Sequence, residues 1–290
     1  MLKKIAKVFG VLMLLIMIGC SVMKNYNDHE ALNANDDKAK KEFKEKGIVL
    51  KSNTILVDGK KLHYLQTGKD NATTLVFIHG SPGDWKAFRG FLSDSVLISK
   101  YRVICIDRPG FGGSDYGKAM PVMEQCRLIN LMFKVINNGK KIIAIGHSLG
   151  GPVVAELAES KNQNLAGIVV LSGSVAAKYE EKENWRYLIN TIFFRFLLPT
   201  DLSTSNNEIM YFKKEVAQIS DNIKEITVPI CVIHGDKDPL VPVENAYFIQ
   251  KENPTQTQLH IIKGANHFIP WTKESFIKNT IVEFVDKIVR

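Results

Sequence analysis

Cysteine is scarce in this chain, and none of the four present (Cys20, Cys105, Cys126, Cys231) forms a C-x-x-C pair. That spacing excludes the common zinc and dithiol-redox motifs, and the three thiols after Cys20 do not make a disulfide framework. Cys105 and Cys231 sit in apolar, strand-like runs and Cys126 in a helix-like one, so buried, inert thiols are expected. No apolar run reaches the roughly 18 residues that a transmembrane helix requires. Basic residues are not interleaved with aromatics into a stripe, and no nucleic-acid motif or internal repeat is present, which argues against a nucleic-acid partner. The formal net charge of +8 owes much to Lys3, Lys4, Lys7, Lys38, Lys40, Lys41, Lys44 and Lys46, all near the start of the chain. This reads as a basic leader and a solvated linker.

Residues 1–19 have a basic start followed by an apolar run from Val8 to Gly19. The run is too short to span a bilayer and fits the core of a secretory signal. Met17-Ile18-Gly19-Cys20 resembles the lipobox of bacterial lipoproteins. The resemblance implies cleavage before Cys20, a diacylglycerol thioether on its sulfur, and a membrane-anchored location in the cell envelope, outside the cytoplasm. Residues 20–47 are polar and charged and read as a flexible or loosely helical tether. A folded domain is expected over 48–290, a length and composition that suit one sizeable core.

Within that domain, Asp58-Gly59 between two apolar, β-rich runs predicts a hairpin. Thr74–His79, Tyr101–Asp107, Ile142–Ile145, Ala166–Leu171, Ile230–His234 and Gln258–Ile262 follow as further strands, most of them continuously apolar. Helix-like stretches around 85–92, 121–136 and 273–289 accompany them. Buried strands alternating with helices predict an α/β fold, a mostly parallel sheet with helices on both faces. Residues 173–226 break the rhythm with helical segments and an aromatic stripe including Trp185, Leu188, Phe193 and Phe212. This insertion predicts a helical lid, whose apolar side chains pack on the domain, line a pocket, or do both.

The fifth strand turns on Gly146-His147-Ser148-Leu149-Gly150, and Pro152–Ala158 then starts a helix. Strand, G-x-S-x-G and helix together predict a nucleophile elbow. Glycines flank Ser148 because strand and helix approach too closely for a Cβ. The amide of Leu149, at a helix N-terminus, can face a developing oxyanion. A serine needs a base, and the base an orienting acid, at the ends of later strands. Ile230–His234 runs into Asp236 and Asp238, and Gln258–Ile262 runs into His267. The order serine, acid, histidine matches the requirement, with Asp236 and Asp238 both open as the acid.

With His79-Gly80-Ser81-Pro82-Gly83 and Asp107-Arg108-Pro109-Gly110, these motifs resemble the α/β-hydrolase superfamily from about Thr54 onward. The resemblance implies an eight-stranded sheet with an inserted lid, Ser148 as nucleophile, His267 as general base and Asp238 as its orienting acid. It implies an oxyanion hole built from the amides of Ser81 and Leu149, structural roles for His79, His147 and Asp107, and no metal or organic cofactor. His63, His234 and His260 are expected to be packing or surface residues, and Trp85 a pocket-rim or helix-surface aromatic. The expected activity is hydrolysis of a carboxylic ester, including a lipid ester, through an acyl-enzyme. Proline iminopeptidases share the His-Gly-x-Pro-Gly motif but carry Gly where Ser81 stands and Trp where Leu149 stands. Acyltransferases, carbon–carbon hydrolases and perhydrolases share the same triad. A binding lipoprotein that keeps the fold without the chemistry is the alternative from another class.

Overall fold

The computed structural model describes residues 35–180, 185–191 and 198–289. Cys20, the leader before it, and Phe193 of the expected lid stripe lie outside the described residues. Contacts divide the chain into two units, Met1–Gly47 and Ile48–Arg290. The described part of the first is a helix over 35–45, α1. None of the described helices is long and apolar enough to cross a membrane.

The second unit is built on an eight-stranded sheet with the order β1-β2-β4-β3-β5-β6-β7-β8. Its strands are β1 (Lys51–Val57), β2 (Lys60–Gly68), β3 (Thr74–Ile78), β4 (Arg102–Ile106), β5 (Ile142–His147), β6 (Leu165–Leu171), β7 (Ile230–Gly235) and β8 (Thr257–Ile262). β1 and β2 form the antiparallel hairpin, turning on Asp58 and Gly59 with φ of +50° and +72°, as the favoured two-residue turn requires. β2 also pairs antiparallel with β4, and β3 to β8 are mutually parallel.

The apolar runs become strands buried on both faces, and their two-residue period sorts the side chains into two cores. Val76, Ile78, Ile104, Ala144, Ile168 and Val232 point into one core. There they meet α4 (Val122–Val135), α5 (Gly150–Glu159) and the buried Phe212, Val216 and Ile219 of the inserted helix. The alternate residue Phe77 stacks on Phe88 and Phe91 at ring distances of 5.0 Å each. Phe91 belongs to α2 (Arg89–Ser93), which is followed by α3 (Ser95–Lys100). Gly167 on β6 backs onto Phe284 of the C-terminal helix, leaving no room for a side chain. Helices therefore cover both faces, as expected.

Two local expectations change. The 85–92 stretch is a short 3-10 turn, Trp85–Phe88, leading into α2, and α3 follows as a helix that the apolar pattern did not reveal. Asp94 starts α3 by accepting the amides of Val96 and Leu97, so one capping carboxylate creates a helix too short to show periodicity. Trp85 is neither rim nor surface: it is 3% exposed.

The described part of the insertion between β6 and β7 holds α6 (Trp185–Ile189) and then α7 (Thr200–Asn222). Its apolar stripe splits. Phe212, Val216 and Ile219 are buried, whereas Trp185, Tyr187 and Leu188 are more than half exposed. The N-terminal half of α7 instead buries polar residues, Thr204, Ser205, Asn206 and Glu208. The remaining α-helices among the described residues are α8 (Glu244–Glu252), α9 (Ile269–Thr272) and α10 (Glu274–Ile288).

Candidate active site

From neighbours β3 and β5 the chain leaves in opposite directions, to β4 and to β6. Such a divergence opens a crevice at the carboxyl ends of the strands. His79 and Ser148 immediately follow those two ends.

Ser148 has φ +54°, a left-handed conformation that a non-glycine residue adopts only when the surroundings force it. The force is visible in the flanking glycines. A Cβ on Gly146 would lie 2.0 Å from the carbonyl oxygen of Gly150, and one on Gly150 would lie 2.3 Å from that of Ile78. The Ser148 amide still donates to Leu171 O at 3.0 Å, continuing the sheet, while its carbonyl accepts Gly151 N at 2.9 Å and starts α5. Pro152 lies in the first turn of α5, where no amide is needed.

The loop after β3 closes on this serine. A Cβ on Gly80 would sit 2.9 Å from Ser148 Cβ and 3.4 Å from its Oγ. Its carbonyl accepts His79 Nδ1–H at 2.7 Å and Arg108 Nη2–H at 3.0 Å. His79 Nε2 in turn accepts the Arg108 amide at 3.0 Å, so the ring is neutral with one donor and one acceptor in use. Burial, with the Arg108 charge beside it, holds the His79 imidazole well below its ordinary range. Its structural role is as expected.

Of the two candidate acids, Asp238 and not Asp236 meets the histidine. His267 Nδ1 lies 2.8 Å from Asp238 Oδ2. Asp238 Oδ1 accepts the amides of Leu240 and Val241, both at 2.9 Å, so it also caps its own turn. Burial disfavours its charge, but bonds from His234, His267 and the Val241 amide outweigh that and hold the carboxyl below the usual carboxylate range. Asp236 faces elsewhere and accepts the Gly264 amide at 2.6 Å.

His147 links the two halves. Its Nε2–H donates to the carbonyl of His267 at 3.0 Å, and the two rings are 4.7 Å apart. The histidine-bearing loop is thereby laced to the residue before Ser148. Burial, and then the neighbouring His267, push the His147 pKa down to about 3, which keeps it a neutral donor. Outside these rings stand the half-exposed Phe268 and Trp271.

Two histidines expected to be packing or surface residues are buried, and each also meets a carboxylate. His63 Nδ1 lies 2.7 Å from Asp107 Oδ2, whose other oxygen accepts the Trp85 amide at 2.7 Å. This fixes Asp107 as a brace. His234 Nε2–H donates to Val241 O at 3.0 Å and lies 3.4 Å from Asp238 Oδ2. Glu208 was not expected at all: it is buried against Arg108 and Gln125 beside the Gly80 loop. Its only sequence signal was an acidic residue within a polar helix. Cys105, Cys126 and Cys231 are buried and unpaired, with thiol pKa values raised by burial, Cys231 to about 12. Among the described residues, no cluster of three His, Cys, Asp or Glu is arranged to hold a metal ion.

The alpha/beta hydrolase fold family matches residues 73–219, just over half of the chain. This protein belongs to that family. Similar proteins include the uncharacterized hydrolase YugF of Bacillus subtilis (strain 168), 22% identical over 265 residues that cover 79% of this chain and 96% of YugF. Another is 2-hydroxy-6-oxo-6-(2'-aminophenyl)hexa-2,4-dienoic acid hydrolase of Metapseudomonas resinovorans, 26% identical over 230 residues, 65% of this chain and 75% of that enzyme. The fold is also that of a membrane phospholipase A described as a bacterial virulence factor. The TM-score is 0.65 at 17% identity, covering 96% of this chain and 97% of the other. For this member of the alpha/beta hydrolase family, the elbow lies inside the matched region, and Asp238 and His267 lie beyond it.

Proposed function

We propose that this protein hydrolyses carboxylic esters through an acyl intermediate on Ser148. The observation that carries the reading is the 2.8 Å contact between His267 Nδ1 and Asp238 Oδ2, on a loop tied through His147 to the elbow. With Nδ1–H committed to Asp238, Nε2 of His267 is left as the base.

In this mechanism His267 Nε2 takes the Ser148 hydroxyl proton as Oγ attacks the ester carbonyl carbon. The carbonyl π pair moves to oxygen, and the oxyanion is held by the amides of Leu149 and Ser81. His267 then gives its proton to the alkoxy oxygen as that carbon–oxygen bond breaks and the alcohol leaves. Water repeats the sequence on the acyl-serine, releasing the acid. Asp238 stays ionised throughout and stabilises the imidazolium. Its low pKa supports that role.

The Cys20 motif supports a membrane anchor facing out of the cytoplasm, which would place the enzyme within reach of lipid esters. The likeness to a phospholipase A fold is compatible with this, and half-exposed Phe268 and Trp271 beside His267 offer apolar surface to an acyl or alcohol group. Initial rates on p-nitrophenyl esters of rising chain length, beside amino-acid p-nitroanilides and a 2-hydroxy-6-oxohexadienoic acid, test the substrate class. Turnover of the esters is expected, and preference for either other class overturns the assignment. Mass spectrometry of the mature N-terminus tests the anchor: an unmodified Cys20 removes it.

A further inference from the structure

The buried ion pair between Arg108 and Glu208 joins the lid to the wall of the site. Both side chains are essentially inaccessible, at 0% and 1%. One edge of the guanidinium faces the lid and α4: Nη2–H donates to Glu208 Oε2 at 3.1 Å, and Nη1 donates to Glu208 Oε1 and to Gln125 Oε1 on α4. The remaining donors go to the loop after β3. Nε–H donates to the His79 carbonyl at 2.9 Å and Nη2–H to the Gly80 carbonyl at 3.0 Å. Ser205, three residues before Glu208 on α7, accepts the Ser81 hydroxyl at 2.9 Å.

The geometry of a peptide converts these contacts into chemistry. The Gly80–Ser81 peptide is not among the cis bonds, so its carbonyl and its N–H point in opposite directions. Pulling the Gly80 oxygen toward Arg108 and His79 holds the Ser81 N–H on the opposite side of that peptide, and Gly80 itself lies against the serine, where a Cβ would already touch it. A guanidinium without Glu208 would be a buried, uncompensated charge free to choose other acceptors. From this we infer that Glu208 is a positioning residue for the oxyanion hole: acting through Arg108, it fixes the orientation of the Ser81 amide, so that seating of α7 and formation of the hole are one event. The inference rests on the acyl-serine reading above and names a lid residue that sets its transition-state stabilisation.

Glu208→Gln keeps an acceptor but drops the charge. The paired variant Arg108→Met with Glu208→Leu removes the clamp without leaving a buried charge, and such replacements are commonly tolerated. For the folded variants, kcat is expected to fall about tenfold to a hundredfold with KM within about threefold, the range for a weakened oxyanion donor. Inhibition by an alkyl boronic acid provides the readout that a merely structural role would not move. Its serine adduct is a tetrahedral anion with one oxygen in the oxyanion position, so its Ki should rise by the same factor as kcat falls. Unchanged kcat and boronate Ki in folded variants overturn the inference, whatever happens to the melting temperature. So does a rise in KM with kcat intact, which would make Glu208 a pocket residue. Wild type is labelled with a fluorophosphonate in parallel. Labelled wild type with unmoved variants removes this inference alone, whereas unlabelled wild type removes the acyl-serine reading and this inference with it.

Discussion

The carboxylate of Asp238 divides its work between its two oxygens, with Oδ2 2.8 Å from His267 Nδ1 and Oδ1 accepting the Leu240 and Val241 amides. The residue that orients the proposed base thus also shapes the turn that presents it.

Asp238→Asn separates these duties. The side-chain oxygen can still cap the turn, but the new amide would donate toward His267 Nδ1 and favour the wrong tautomer. Esterase kcat should fall by about 10⁴ in a variant that still folds, its urea midpoint lowered by loss of the ionised carboxylate and not by loss of the turn. Asp236→Asn, by contrast, touches only the Gly264 amide, and its kcat should stay within about threefold of wild type. Steady-state kinetics on the two purified variants check the pair; equal losses would reopen the choice of acid.

Stability should fall on acidification in two stages. His79 and His147 are held below the ordinary histidine pKa in the folded protein, His147 at about 3, while in the unfolded chain they titrate near 6.5. Below about pH 6.5 the unfolded state therefore binds more protons and gains on the native state. Asp238 acts in a lower window. Its depressed pKa contributes stability above about pH 4, which is lost as pH falls further. Urea unfolding at pH 7, 5.5 and 4 measures the first stage, and a further point at about pH 2.5 the second. In His147→Gln the first drop should shrink, and an identical pH slope in the variant would contradict the argument.

Two glycines should fail in different ways. Gly146→Ala drives a methyl into the Gly150 carbonyl, 2.0 Å away, and backbone there cannot yield without opening the elbow. A loss of about 1–3 kcal/mol or outright misfolding is expected. Gly80→Ala meets the Ser148 side chain instead, at 2.9 Å from Cβ. It should leave a folded protein whose kcat is down about a hundredfold, because a small displacement of the nucleophile is enough. Thermal melts beside kinetics distinguish the two; a stable, active Gly146→Ala would contradict the close strand–helix contact.

Much of this architecture was legible because its signals are local. The apolar runs of β3 to β7, the Asp58-Gly59 turn and the glycines around Ser148 each carry their structural reason within a few residues. The choice between Asp236 and Asp238 was not local, since both sit in the same turn and only the path of the His267 loop separates them. Charged pairs were the least legible. Arg108 meets Glu208 across 100 residues and His63 meets Asp107 across 44; the Asp107-Arg108 motif stood out in the sequence, but Glu208 and His63 look there like ordinary solvated or strand residues. The polar half of α7 was hidden for the same reason: Thr204, Ser205 and Glu208 suggest a surface helix until their buried partners are known.

Whether Ser148 is an activated nucleophile is read out by labelling with a fluorophosphonate followed by peptide mass spectrometry. A covalent adduct is expected on Ser148 of the wild type, none on Ser148→Ala, and at least about a thousandfold slower labelling of His267→Ala. A wild-type protein that is folded, hydrolyses no ester and takes no label at Ser148 would contradict it.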